Sequence, residues 1–395
     1  LAVFSYPHSV CEFAVYNLWT TGTLFFHPQT VHRHLLQDAH SYPIEKSLYF
    51  RGLHHFYTFS QPLLRILRIS YYFFIHEPSG SRKEVIHIMK LICAKNELLK
   101  SVNISLKAVS SKTTMPILEC ILIDASAAEI TFTSNDMELG IETKVKGIIE
   151  EKGIVALDAK LFSDIIRKLP DSDVTIQTDA NLNTTITCEK AKFTIPGKSG
   201  DDFAYLPVIE RTEGIEISQF TLKEVIRQTI FSIAANENNK LMTGELFEIK
   251  DNMLKVVSLD GHRIAIRKIE LKDNYPARKV VVPGKTLNEI SKILSGEVED
   301  QVKIFFTENH IVFEFDDTVV VSRLIEGEYF RIDQMLSSDY ETKVKINKRE
   351  FLECIDRATL FVKEGDKKPI IITIDDTGMQ LNINSQMGSM NEEID

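Results

Sequence analysis

Residues 158–170 read DAKLFSDIIRKLP, and residues 283–295 read PGKTLNEISKILS. In both stretches the apolar side chains recur three or four residues apart, which is the period of an amphipathic helix. Phe162 and Leu287 occupy matching positions and stand 125 residues apart. The two stretches therefore predict one helix that occurs twice, in a chain with an internal repeat of about 125 residues.

Another helix is predicted at the start of each repeat. The three segments are KNELLKSVNISLKAV at 95–109, FTLKEVIRQTIFSIA at 220–234 and INKREFLECIDRATLF at 346–361. Thr221 and Glu224 form a capping-box pattern in the second segment, and Asn347 and Glu350 stand in the same relation in the third. The chain thus contains three copies of the opening helix but only two copies of the later one.

Alternating apolar residues predict pairs of strands after each opening helix. The first strands are ILECILID, GELFEIKD and PIIITIDD, and the second are EITFTSND, LKVVSLDG and MQLNINSQ. Helices packed on antiparallel strand pairs define an α+β fold. Two helices per repeat on a common face predict a curved array with helices inside and sheets outside. We predict domains at 89–210 and 211–338, and an incomplete third domain at 339–395.

The first 88 residues differ in composition from the rest. They hold nine of the eleven His, the only Trp and no Met, with a formal charge of +2 against −12 for residues 89–395. HRH at 32–34 and HH at 54–55 lack acidic or Cys partners at metal-ligand spacing, so no metal site is predicted. We expect residues 1–88 to be a non-native leader without a fold, translated from upstream sequence, and Met89 to be the true start.

The cysteine pattern and the apolar runs restrict the compartment. The five Cys form no CxxC pair and no even disulfide framework, which favours a reducing cytosol. The most apolar run of the leader, at 61–78, is interrupted by Arg65 and Arg68, so it does not match a membrane span.

Basic residues accompany the predicted helices of a chain whose net charge is −10. One such residue is typical of a solvated helix face, but their recurrence in each repeat favours a surface that holds a phosphate backbone without reading bases. They are Lys95, Lys100, Lys107, Lys112, Lys160, Arg167, Lys168, Lys223, Arg227, Lys240, Lys285 and Lys292.

Two stretches suggest a phosphate-binding loop and one suggests a catalytic histidine. IPGKSGDD and VPGKTLNE contain Lys198 and Lys285, but the GxxxxGK[ST] pattern needs a Gly where both stretches have Lys. We interpret them as turns. His262, in SLDGHRIAI, has no nucleophile or orienting carboxylate at a spacing that indicates a catalytic set. The sequence gives little support to an enzyme and indicates no cofactor.

Several motifs in this order resemble one known family. They are MKLICAKNELLKSV, TTMPIL, TSNDMELGIE, LMTGELFE, VSLDGHRIAI, VVVPGKTLNEI and RLIEGEY. Residues 89–395 resemble the bacterial DNA polymerase III β sliding clamp. The resemblance implies a DNA-clamp fold, in which a head-to-tail homodimer forms a ring round duplex DNA, with helices lining the hole. It also implies a non-catalytic processivity factor, in the bacterial cytoplasm at the nucleoid, that tethers the DNA polymerase III α subunit, the clamp loader and repair proteins through short peptides.

The resemblance assigns residues to three sites. DNA contacts fall on Lys112, Lys160, Arg167 and Lys240. The pocket for Gln/Leu/Phe-containing client peptides falls on Met242, Ser258, Gly261, His262, Arg263, Ile264 and Met335. The dimer contact would join Phe193 and Ile195 of the first domain to Leu360 and Phe361 of the third. Two departures are Asn239, where the family commonly has Arg, and EYFRIDQM, which replaces a frequent Phe-Pro-Asp-Tyr run.

Two alternatives remain open, together with one expectation about the third repeat. The alternatives are a protein-binding repeat scaffold that does not encircle DNA and a P-loop nucleotidase. A third repeat equal to the others needs roughly sixty more residues. We therefore expect this chain to be C-terminally truncated, with an unstable third domain and a ring that does not close.

Overall fold

The computed structural model of the protein describes residues 2–5, 11–15, 89–110, 113–212, 214–235, 239–336, 343–363, 369–375 and 378–394. Two strands lie where the sequence predicts no fold: β1 Ala2–Ser5 and β2 Cys11–Val15, which pair antiparallel. β1 also runs parallel to a strand at Ile264 and Ala265. An open strand edge offers unpaired backbone groups, which gives a short extended segment a place to bind. The other residues of 1–88, including HRH and HH, lie outside the described residues.

The first repeat folds as two antiparallel sheets with two helices. Its strands are β3 Met89–Ala94, β4 Cys120–Asp124, β5 Ile130–Asn135, β6 Leu139–Val145, β7 Ile148–Glu151, β8 Ile154–Asp158, β9 Asp173–Thr178, β10 Asn183–Cys188 and β11 Ala191–Pro196. Its helices are α1 Lys95–Ser105 and α2 Ala159–Lys168. Both helices lie where the sequence predicts them, and α1 continues as a single 3₁₀ turn, Leu106–Ala108.

The second repeat has the same order of elements, with longer strands. It contains β12 Gly214–Ser218, α3 Gln219–Thr229, β13 Gly244–Leu259, β14 Ile264–Pro283, α4 Gly284–Ile293, β15 Gln301–Phe306, β16 His310–Phe315 and β17 Thr318–Arg323. β13 corresponds to β4 and β5 joined together, with register shifts around Asp251. The second repeat ends with α5 Ile332–Met335. The third repeat contains β18 Lys343–Ile346, α6 Lys348–Thr359, β19 Ile371–Asp375, β20 Gly378–Ser385 and β21 Gly388–Ile394.

Side-chain caps determine where three of the helices begin. Asp158 accepts a hydrogen bond from the Leu161 N–H at 2.7 Å at the start of α2, and Asn347 caps α6 as the sequence predicts. The predicted capping box of Thr221 and Glu224 is wrong. α3 begins one turn earlier, because the hydroxyl of Ser218 is free to accept from the Thr221 N–H at 3.1 Å. Within the described part of the chain, no helix is long and apolar enough to cross a bilayer.

One sheet joins the first two repeats. Its eight strands follow the order β12-β15-β16-β17-β6-β5-β4-β8, so β17 of the second repeat pairs antiparallel with β6 of the first. Val320 lies opposite Ile141, and the hydroxyls of Thr143 and Thr318 hydrogen-bond at 2.9 Å. The other sheets have the orders β11-β10-β9-β3-β7, β19-β20-β21 and β13-β14-β1-β2-β18. The two repeats are therefore bound along a shared ladder.

Apolar cores lie between the helix pairs and the sheets. In the first repeat the rings of Phe132 and Phe162 pack edge to face at 6.0 Å, with Leu98 of α1 buried in the same cluster. In the second repeat Leu222 of α3 and Leu287 of α4 are fully buried in one cluster. Helices packed on antiparallel sheets confirm the α+β class predicted from the sequence.

Candidate functional site

α2 exposes two of the predicted DNA contacts. Lys160 and Arg167 are seven residues apart, so they lie on one face of the helix, and both are exposed. Arg167 Nη2 donates to Asn103 Oδ1 on α1 at 3.0 Å, which ties the guanidinium to the neighbouring helix. Neither side chain has an ion-pair partner within the described residues. Lys112, the other contact predicted for this domain, lies outside the described residues.

The matching lysines of α4 are neutralised by carboxylates. Lys285 occupies the position of Lys160 in the second repeat, and its ammonium forms an ion pair with Asp136 of the first repeat. Lys292 pairs with Glu289 at 2.6 Å. Lys240, by contrast, is exposed at the start of a 3₁₀ turn and has no ion pair among the residues described. The basic residues predicted to contact DNA are therefore neutralised unevenly between the first two repeats.

The lysines of the two phosphate-loop candidates are both engaged with protein groups. Lys198 Nζ donates to the Pro116 carbonyl at 2.7 Å, and Lys285 contacts Asp136. Lys285 also stands in the first turn of α4, with no glycine loop wrapped before it. These contacts argue against the nucleotidase alternative.

A tight turn between β13 and β14 forms one wall of the predicted peptide pocket. Asp260 Oδ1 accepts from the backbone N–H groups of His262 and Arg263 at 3.0 and 3.1 Å, and Arg263 Nε donates to Asp260 Oδ2 at 3.0 Å. Burial opposes ionisation of Asp260, but these bonds outweigh it and lower the pKa of the carboxyl. Gly261 has a φ of +87°, and nothing lies within 4 Å of the point where a Cβ would stand.

Ser258 lies on β13, shortly before the turn, and is fully buried. Its hydroxyl donates to the Thr229 carbonyl at 2.6 Å, at the end of α3. The first repeat contains the same bond, from Ser134 to the Ser105 carbonyl at 2.6 Å. Ser258 therefore fixes the helix to the strand beneath it, and its contact with a peptide stays a prediction. Ile264 is buried in the apolar cluster of this surface.

Apolar side chains complete this surface. The buried members of the cluster are Leu246, Val257, Leu259, Ile264, Val281, Tyr329 and Ile332. Met242 is half-buried at its edge, and Met335 on α5 is 48% exposed. Arg263 lies 5.6 Å from the centre of the Phe231 ring, in cation–π range. Tyr329 and Phe231 were missed from the sequence, although their apolar character beside a turn was a usable signal.

A carboxyl group is buried under α3 near this pocket. Glu245 lies opposite Val282 in the β13–β14 ladder, and Val282 immediately precedes the N-cap residue of α4. In the first repeat the residue that matches Glu245 is Ile121. Glu245 Oε2 lies 2.9 Å from Thr229 Oγ1, which also lies 2.8 Å from the Val225 carbonyl. The hydroxyl has a single proton, so both bonds form together only when the carboxyl supplies another. Burial raises the pKa of Glu245 to about 8, although the bond with Thr229 acts in the opposite direction.

The predicted dimer residues lie on or beside strands that end their sheets. Phe193 is 38% exposed on β11, while Ile195 on the same strand is buried. Leu360, just after α6, is 73% exposed. The ring of Phe361 lies 3.0 Å from the place of a Cβ on Gly388, at the start of β21. Among the described strands, β11 and β21 each have a neighbour on one side alone.

Tandem modules with paired helices on antiparallel sheets, joined by a shared ladder, define the DNA-clamp class of fold. Residues 89–207 match the family described as DNA polymerase III beta subunit, N-terminal domain, and residues 216–330 match its central domain. The beta sliding clamp of Staphylococcus aureus is 35% identical, over 78% of this chain and 84% of that protein.

Solved structures agree with the sequence relatives. A DNA polymerase III beta subunit from Eubacterium rectale is 72% identical, with a TM-score of 0.76, over 78% of this chain and 84% of that one. The DNA polymerase sliding clamp from Bacillus subtilis is 36% identical, with a TM-score of 0.74, over 78% and 83% of the two chains. The chain therefore belongs to the DNA polymerase III β-subunit family, the bacterial sliding clamps.

Proposed function

We propose that the protein closes head to tail with a second copy of itself into a ring round duplex DNA, and there tethers a DNA polymerase. The junction of the first two repeats carries this proposal, because it provides a template for the missing contact. β17 pairs with β6 inside the chain. In the repeated order of elements, β11 of the first repeat matches β17 of the second, and β21 of the third repeat matches β6 of the first. We therefore expect β11 of one chain to pair with β21 of the next.

The template also gives a register for the contact between chains. Glu189 and Asp316 have φ values of +50° and +48° in the hairpin turns before β11 and β17, which aligns Phe193 with Val320. The β5–β6 and β20–β21 ladders align Ile141 with Met390. Since Val320 lies opposite Ile141 within the chain, Phe193 is expected opposite the partner copy's residue 390. The repeat count led us to expect a ring that does not close, but the contact needs only β11 and β21, and both are among the described strands, so we propose closure.

The ring proposal is tested by cysteine crosslinking. Facing residues on neighbouring strands have Cβ atoms about 5 Å apart, so Phe193→Cys with Met390→Cys is expected to form an interchain disulfide under mild oxidation. Thr194→Cys with Met390→Cys is the matched control, because successive side chains of a strand point to opposite faces. Equal crosslinking of both pairs, or none, would contradict the register. Four of the native cysteines, at 93, 120, 188 and 354, are buried.

The DNA contact is proposed to be electrostatic and independent of sequence. Lys160, Arg167 and Lys240 are exposed and form no ion pair among the described residues, and Lys112 joins them by the family resemblance. Cations of this kind hold phosphates without reading bases, so the ring can slide. Retention of the protein on nicked circular DNA, and its release when the circle is cut, would separate a ring from a scaffold that merely binds proteins.

The pocket beside Gly261 is proposed to bind short client peptides. Its apolar cluster, with Met242 and Met335 at the rim and the His262–Arg263 turn as polar wall, suits anchors such as Leu and Phe. We extend the proposal to peptides of the polymerase α subunit, the clamp loader and repair proteins, acting at the nucleoid in the cytoplasm. The protein then contributes no catalytic group of its own.

A further inference from the structure

A cleft opens at the junction of the first two repeats, away from the residues assigned above. It has a volume of about 250 Å³. Its lining includes Met137, Leu206, His310, Val321 and Arg323, and these five residues define what we name the junction cleft. Met137 is 53% exposed and has a φ of +76°, an unusual backbone angle for a residue other than glycine.

The wall of the junction cleft repeats the wall of the peptide pocket. Asp136 Oδ1 accepts from the backbone N–H groups of Glu138 and Leu139 at 3.0 and 2.7 Å. Asp260 makes the same pair of bonds 124 residues later, at 3.0 and 3.1 Å. Met137 therefore stands where the peptide pocket has Gly261. The two hollows are built from one turn used twice.

The linker between the first two repeats already places an aliphatic group in the junction cleft. Asn135 Nδ2 donates to the Ala204 carbonyl at 2.9 Å, which fixes the linker to the turn. Leu206 then packs against Gly140, so closely that a Cβ on Gly140 would overlap the Leu206 side chain. The matching residue of the second repeat is Ile264, which fills that space itself. The junction cleft thus accepts apolar side chains and leaves room beside Leu206.

One side of the junction cleft is basic. Arg323 is exposed at the end of β17, and its guanidinium forms no ion pair with any residue that the structure describes. Its neighbour across the β16–β17 ladder is His310, whose pKa is lowered first by burial and then by the arginine charge. Glu138 is the one carboxylate among the residues that line the junction cleft. An unpaired arginine beside apolar walls is complementary to a carboxylate next to a bulky apolar group.

We propose that the junction cleft is a second peptide-binding site, which takes a partner segment with a Leu or Phe side chain beside an Asp or Glu. The proposal rests on the proposed peptide binding at the matching pocket. Val321, Met137 and Leu206 would contact the apolar group, and Arg323 would hold the carboxylate. One chain would then bind two peptide segments, one at each junction.

The test is a titration of the full chain with a fluorescein-labelled peptide that contains Gln, Leu and Phe with an Asp before the Leu. Isothermal titration is expected to give two peptides per chain for the wild type. Met137→Gly removes one wall of the junction cleft, and glycine suits the positive φ at that position. Arg323→Glu removes the partner of the carboxylate. Each variant is expected to weaken binding at the junction cleft about tenfold or more. Gly261→Met is expected to weaken binding at the peptide pocket. Lys250→Glu, an exposed charge reversal, is the control.

Each outcome separates the two proposals. One peptide per chain, lost in Gly261→Met and kept in Arg323→Glu, overturns the junction cleft but supports the peptide pocket. One peptide that Arg323→Glu abolishes and Gly261→Met leaves supports the cleft and overturns the pocket. No binding overturns both. If light scattering shows that Arg323→Glu changes the number of chains in the assembly, the cleft is a contact between copies and the peptide proposal is overturned.

Discussion

Glu245→Gln is expected to stabilise the second repeat at neutral and alkaline pH. The wild-type carboxyl is fully buried, has Thr229 as its one hydrogen-bond partner and leaves Oε1 without a partner among the described residues. A neutral amide of similar shape keeps the bond to Thr229 and has no charge to desolvate. The first repeat manages with Ile121 at this place, so a charge is not needed for the fold.

The magnitude follows from the proton that the folded protein holds. The folded-state pKa of Glu245 is about 8 and its ordinary value is 4.5. The folded chain therefore keeps a proton that the unfolded chain releases, and stability is full below pH 4.5, declines through the window up to about pH 8 and stays low above it. Each pH unit corresponds to about 1.4 kcal/mol, so the loss at pH 7 is about 3 kcal/mol. Glu245→Gln is expected to recover most of it.

The assay is hydrogen-exchange mass spectrometry of the full chain in rising urea, with peptides that cover α3 and β13. The difference in unfolding free energy between Glu245→Gln and wild type is expected to be near zero at pH 4.5 and to grow through pH 8. Glu248→Gln is the control with the opposite sign. Burial raises the pKa of Glu248, but Lys279 at 2.7 Å and Lys255 lower it overall, so its loss destabilises the protein above pH 4.5. A Glu245→Gln difference that does not change with pH would refute the buried-proton reasoning.

Three further perturbations test other contacts. Lys160→Ala is expected to reduce the slope of log affinity for duplex DNA against log salt by about 1, while Lys285→Ala, whose charge an aspartate already neutralises, leaves it unchanged in fluorescence anisotropy. Gly140→Val is expected to cost about 1–3 kcal/mol by calorimetry, partly restored by Leu206→Ala, because the new side chain would overlap that leucine. Ser258→Ala is expected to cost about 1–2 kcal/mol in urea unfolding, because a buried carbonyl loses its donor.

The repeat, the α+β class and the helix positions could be predicted because apolar spacing is a local property of the sequence. The cap of α6 at Asn347 is local too, and its prediction is confirmed. The start of α3 was wrong by one turn because Ser218 and Thr221 both suit a cap, and the choice depends on where the preceding strand ends. The partners of Lys285 and Ser258 depend on contacts between distant segments, which spacing alone does not reveal.

Comparison of the two junctions separates what builds the fold from what shapes recognition. The aspartate that closes the turn, Asp136 or Asp260, makes the same hydrogen bonds in both repeats. So does the serine beneath it. Among the positions that differ, two face the hollow: Met137 stands against Gly261, and Gly140 against Ile264. Since the shared hydrogen bonds fix the turn and the helix in both repeats, these differences change the shape of each hollow without changing the backbone around it. The repeated module thus provides two hollows on one frame, and the proposed peptide binding assigns a different partner to each.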